Sequence, residues 1–153
     1  SLIIHDAVRN TDTGPVFVYG HSLGTTAAIH IAQNRRLNGV ILESAFTTAE
    51  EAMSSISEGL GWPLNSALRF VPGKTMREFS PQPVEKIKKV SEPLLVMHGC
   101  KDATFTPDIG KKMFDAASSP RKYFYAAKED GHFVTIEKGE AAQKIAGFVF
   151  ENL

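Results

Sequence analysis

Val16-Phe17-Val18-Tyr19-Gly20-His21-Ser22-Leu23-Gly24 runs without a gap into Thr25-Thr26-Ala27-Ala28-Ile29-His30-Ile31-Ala32-Gln33-Asn34. The first four residues are β-branched or aromatic and follow Gly14-Pro15, so they read as a strand buried on both faces. Residues 25–34 place Ala27, Ala28, Ile31 and Ala32 on a helical period, which predicts a helix packed closely on that strand. Between the two lies Gly20-His21-Ser22-Leu23-Gly24, a G-x-S-x-G pattern. A serine in so tight a strand-to-helix turn is held in a strained backbone conformation with its hydroxyl exposed. Glycines are expected on either side because a Cβ there would collide with the strand or the helix. The backbone N–H of Leu23, the residue after the serine, would face a developing oxyanion. Five residues alone are weak evidence; the strand before them and the helix after them give the pattern its weight.

The same rhythm continues downstream. Val40-Ile41-Leu42 reads as a second buried strand, Leu94-Leu95-Val96-Met97 between Pro93 and Gly99 as a third, and Tyr123-Phe124-Tyr125 as a shorter fourth. Pro107 to Ala117 predicts a helix with Ile109, Met113 and Phe114 inward. Ala141 to Glu151 predicts another, with Ile145, Phe148 and Val149 on one face, and Leu2 to Arg9 looks like the end of a helix. Strands alternating with helices predict an α/β fold, a parallel sheet flanked by helices. Residues 47–92 break the rhythm with Gly59, Gly61, Trp62, Pro63, Pro72, Gly73, Pro81 and Pro83. That segment is too long for a simple crossover and too poor in large apolar residues for its own core, so it reads as a cap or lid inserted in one domain, 1–153.

A serine hydroxyl is a poor nucleophile until a base takes its proton, and the base must be oriented by a third group. On a strand-turn-helix serine the partners follow in the order Ser, acid, His. Asp102 stands just past the third strand and His132 just past the fourth, both at the carboxyl edge of a parallel sheet, where ligands bind. Each has a plainer alternative. Asp102 could cap the helix starting near Pro107, with Asp108 a better-placed competitor, and His132 could be an ordinary loop histidine. His21 should point away from the serine hydroxyl, His98 should be packed at a strand end, and His5 and His30 should be ordinary helix positions. Cys100 reads as a small buried residue.

The 17 basic and 17 acidic side chains cancel, so no charge pattern points to nucleic acid. With 42% hydrophobic and 22% charged residues the chain is composed like a globular domain. The single cysteine excludes an intrachain disulfide. No metal-ligand spacing, phosphate loop or cofactor motif is present. No apolar run approaches the roughly 20 residues that span a bilayer. The chain begins Ser1-Leu2-Ile3-Ile4 without methionine, from which an upstream segment is expected and the compartment stays open.

On Val18–Gly24, Glu43-Ser44-Ala45-Phe46-Thr47, Pro93–Gly99 with Lys101, Asp102 and Pro107, and Gly131-His132, the chain resembles the α/β-hydrolase superfamily. It is most similar there to the BEM46-like serine hydrolases of the ABHD13 and ABHD17 type. The resemblance implies Ser22 as nucleophile, Asp102 as acid and His132 as general base. It also implies cleavage of carboxylic esters or thioesters, some of them small-molecule or lipid-derived acyl substrates, with membrane association left open. The family's sheet has eight strands and the four here match the last four, so a C-terminal half is expected. The second oxyanion donor would then lie upstream in a His-Gly loop, the Val16–Tyr19 strand would form an exposed edge, and this piece alone should be nearly inactive. Trp62, Leu64, Leu68 and Phe70 would either line an acyl-binding surface, Trp62 and Phe70 foremost, or pack the cap onto the body. The competing functions are a non-catalytic or truncated interaction protein on the same scaffold, and a serine peptidase of the same fold.

Overall fold

The computed structural model describes residues 14–59, 82–136 and 139–153. Within them β1 (Phe17–His21), β2 (Gly39–Glu43), β3 (Leu94–Gly99) and β4 (Lys122–Ala127) form one parallel sheet in that spatial order. Around it lie α1 (Gly24–Asn34), α2 (Ala49–Gly59), α3 (Pro83–Ile87), α4 (Pro107–Ala116) and α5 (Gly139–Glu151).

The two-residue period of the strands separates two cores. Val40 pairs with Leu94 and Leu42 with Val96. These four meet Ala28, Ile29 and Ala32 of α1, Ile87 of α3 and Met113 of α4 on one face. The intervening Ile41, Leu95 and Met97 meet Phe148 of α5 on the other. Covering both faces is why β2 and β3 are continuous apolar runs, and each such side chain contributes roughly 1.5–3 kcal/mol by burial.

Several details depart from the sequence reading. Strand β1 is not covered on both faces: among the described residues it pairs with β2 alone, and Tyr19 stays 42% exposed. It is an edge of the described sheet, as expected for this chain. The buried stripe of α1 is Thr25, Ala28, Ile29 and Ala32, while Ala27 is exposed and Ile31 half-buried. The helix is rotated from the predicted face because Thr25 anchors it, its hydroxyl donating to Ser22 O at 2.6 Å. Strand β4 is as long as β3, its ends hidden by Lys122 and two alanines. Lys122 Nζ donates to Phe114 O at 2.9 Å and Ala117 O at 2.7 Å, satisfying the carbonyls that end α4. Cys100 is exposed rather than buried, because the chain leaves β3 at that residue.

The two ends of the 47–92 segment are described. Thr48 and Glu51 open α2 as a reciprocal cap: the Glu51 N–H donates to Thr48 Oγ1 at 3.1 Å, and the Thr48 N–H donates to Glu51 Oε2 at 3.2 Å. At the other end Ile87 and Val90 belong to the larger core. Residues 60–81 lie outside the described residues, as do Leu2–Arg9 and His5.

Candidate active site at the carboxyl edge of the sheet

Strand β1 ends in a turn that must reverse direction within three residues, and it does so through a non-glycine left-handed residue. Ser22 has φ 52°, a conformation that costs a side-chain-bearing residue of order 1–3 kcal/mol. The Ser22 N–H donates to Glu43 O at 2.9 Å, and the Thr25 N–H donates to Ser22 O at 3.0 Å, so strand ladder and helix start meet on this one residue. Gly20 is required by contact: a Cβ there would lie 2.6 Å from Gly24 O and 2.8 Å from Ala28 Cβ. The expectation for Gly24 fails. A Cβ on it would meet nothing within 4 Å, because the helix start faces outward at that point. Leu23 stands at the N-cap of α1, where backbone N–H groups have no intrahelical partner, and its side chain is exposed.

Asp102 sits in the turn that leaves β3. Its Oδ1 accepts the N–H of Thr104 at 2.8 Å and of Phe105 at 2.9 Å, an aspartate folding the chain back over its own carboxylate. The helix-cap alternative does not form: the carboxylate organises its own loop, while α4 is N-capped at Thr106 with no side-chain bond. The other oxygen, Oδ2, accepts from His132 Nδ1 at 2.9 Å and lies 3.3 Å from His98 Nε2. Burial pushes the Asp102 carboxyl upward. The hydrogen bonds from Phe105, His132 and Thr104, together with the charge His132 can carry, outweigh it and hold the carboxyl below its ordinary value. Asp102 is therefore an anion at neutral pH although its side chain is fully buried.

His132 reaches both partners. The Ser22 hydroxyl lies 3.0 Å from His132 Nε2, so it donates to the ring once Nδ1–H is committed to Asp102. Phe105 packs edge-on against the imidazole at 5.4 Å between ring centres. The loop that carries His132 passes close over the end of β3: a Cβ on Gly99 would lie 2.5 Å from Asp130 O. Three side chains far apart in sequence thus form one hydrogen-bonded row, Ser22 to His132 to Asp102.

His21 is engaged with the loop that carries His132. Its Nε2–H donates to His132 O at 3.0 Å and its ring stacks on Phe133 at 4.5 Å. His98 is fully buried and packed as expected, and its Nε2–H donates to Phe105 O at 2.8 Å. Its closeness to Asp102 was not foreseen. Nor were the parts played by Glu43, whose Oε1 accepts the Val134 N–H at 2.6 Å, and Ser44, whose hydroxyl donates to His132 O at 2.8 Å. Both lie in the Glu43–Thr47 stretch that carries the family resemblance, which is the one signal that singled them out. A cleft of about 410 Å3 beside β1 is lined by Tyr19, His21, Glu43, Phe133 and Ile136. Trp62, Leu64, Leu68 and Phe70 lie outside the described residues. Among the described residues no group of three or more His, Cys, Asp or Glu side chains is placed to hold a metal, and no helix is long and apolar enough to cross a membrane.

No family model matches the chain. It is 30% identical over 141 residues to the lysophosphatidylserine lipase ABHD12 of Macaca fascicularis, covering 80% of this chain and 33% of that protein. It is 31% identical over 116 residues to protein ABHD12B of Homo sapiens, covering 67% of this chain and 30% of that one. The chain thus spans about a third of the length of the curated relatives it matches. Among solved structures, it superposes on the Pyrococcus furiosus esterase PF2001 with a TM-score of 0.73 at 13% identity, covering 97% of this chain and 58% of the esterase. On the Paleococcus ferrophilus monoacylglycerol lipase the TM-score is 0.60 at 18% identity, with 98% and 72% covered. Four parallel strands between helices, and these neighbours, identify the chain as carrying part of an α/β-hydrolase fold.

Proposed function

We propose that the protein is a serine hydrolase that cleaves carboxylic esters or thioesters through an acyl-enzyme on Ser22. The observation that carries this reading is the row of hydrogen bonds Ser22 Oγ–His132 Nε2–Asp102 Oδ2, at 3.0 and 2.9 Å, at the carboxyl edge of the sheet. In this reading Ser22 Oγ attacks the acyl carbon while His132 Nε2 takes its proton. The Asp102 carboxylate keeps the proton of the resting imidazole on Nδ1 and stabilises the imidazolium that forms. The Leu23 N–H donates to the oxygen that becomes negative. His132 then returns the proton to the departing alcohol or thiol, and the same base activates water to release the acid.

The substrate class follows the relatives, a lysophosphatidylserine lipase and a monoacylglycerol lipase, which favour lipid-derived acyl esters. The finer placement among BEM46-like hydrolases rests on the Glu43–Thr47 stretch. The reading of residues 47–92 as a cap over the site, with Trp62 and Phe70 against the acyl group, belongs to the same proposal. Turnover of p-nitrophenyl esters by the full-length protein tests the reading. Ser22→Ala should lower kcat by on the order of a millionfold, and a Ser22→Ala protein that hydrolyses at the wild-type rate would overturn it.

A further inference from the structure

The base is held by more than its two ring partners. Strand β2 ends between the nucleophile strand and the acid strand, and its last residue and the next touch all three parts of the site. Glu43 O accepts the Ser22 N–H at 2.9 Å, and the Ser44 N–H donates to Met97 O at 3.0 Å, which ties this corner to β1 and β3. The side chains turn the other way, onto the loop that carries His132. Ser44 Oγ–H donates to His132 O at 2.8 Å, and Glu43 Oε1 accepts the Val134 N–H at 2.6 Å. His21 Nε2–H adds a second donor to the same His132 carbonyl at 3.0 Å. Glu43 and Ser44 are polar yet 2% and 0% exposed, and Ser44 has φ 48°. Glycine would occupy that conformation without strain. A serine kept there points to a need for its hydroxyl.

We propose that Glu43 and Ser44 are positioning residues for the base, gripping the His132 loop on both sides of the imidazole so that Nε2 stays within bonding reach of Ser22. This rests on the hydrolase reading above. The ring itself makes two polar contacts, to Ser22 and to Asp102, and its side chain is 20% exposed, so its aim follows from its backbone. Fixing the carbonyl of residue 132 and the N–H of residue 134 fixes that backbone. Small misplacements of a catalytic group can lower the rate about a hundredfold.

The test uses the full-length protein, with a fluorophosphonate to count competent sites and a p-nitrophenyl ester to measure kcat and KM per counted site. Ser44→Ala and Ser44→Gly should each lower kcat per site about tenfold to a hundredfold, with KM within about twofold of wild type. Ser44→Gly also relieves the backbone strain, and counting sites separates its slowness from any loss of folded protein. Glu43→Ala should be slowed as well, and Glu43→Gln, which keeps an acceptor for the Val134 N–H, should recover most of that loss. Wild-type turnover per site in both Ser44 variants, or a loss explained wholly by fewer titratable sites, would overturn the proposal. A wild-type protein that neither titrates nor turns over would overturn the hydrolase reading and this proposal with it.

Discussion

The turn that carries Ser22 and the loop that carries His132 deliver their side chains to the same point by opposite means. The turn is built from neighbours: Thr25 bonds back to Ser22 O, and Gly20 makes room for Gly24 O and Ala28. The Ser22 N–H bond to Glu43 and the His21 side-chain bond to His132 O reach further. The His132 loop has a local bond of its own, Asp130 accepting from Thr135, but distant residues hold it at the histidine. Residues 21, 43 and 44, and the bare Cα of Gly99, hold it from 30 to more than 100 positions away. A turn of the first kind writes itself into a pentapeptide, whereas a loop of the second kind leaves in the sequence a histidine after a glycine and little more.

Substitutions break this comparison in order of size. Replacing the proposed base, His132→Ala, should lower kcat on the order of a millionfold, because in such a site serine and histidine act as one unit. Rapid-mixing or long-time ester assays check it, and a loss under a hundredfold would mean that another group takes the proton. Asp102→Asn should cost about ten-thousandfold in kcat, since it removes the anion that holds His132 in the correct tautomer. The comparison is sharpened within the turn by its two glycines. Gly20→Ala should cost about 1–3 kcal/mol of stability by overpacking against Gly24 O and Ala28. Gly24→Ala should stay within about 0.5 kcal/mol. Urea midpoints of the two variants settle the contrast, and equal midpoints would remove the steric account.

The smallest effect concerns acid. The native Asp102 carboxyl is held below its ordinary value, so its contribution to stability is present above the unfolded value, about 3.9, and is lost as pH falls through the native one. The stability gap between wild type and Asp102→Asn should therefore narrow as pH falls below about 4. A gap that widens below about pH 4 would reverse the sign of the argument.

Most of the sheet was legible because β2 and β3 are buried on both faces and read as unbroken Val, Ile, Leu and Met. Strand β4 was read short because Lys122, a strand residue that caps a helix, looks like a loop lysine in sequence. The face of α1 was misjudged because Thr25, a polar residue, leads its buried stripe. That Ser22, Asp102 and His132 come together was expected from chain order and their places after strands, and the hydrogen bonds join them. Glu43, Ser44 and His98 were not assigned their contacts, since those depend on which strand ends come together. Only the parallel register of β1, β2 and β3 decides that.

Peptide mapping by mass spectrometry of the full-length protein, after reaction with a fluorophosphonate, tests the central claim most directly. The account predicts a single phosphonyl adduct on Ser22, absent from His132→Ala treated in the same way. An adduct on another residue, such as the exposed Cys100, or an unmodified Ser22 in protein that still hydrolyses esters, would contradict it.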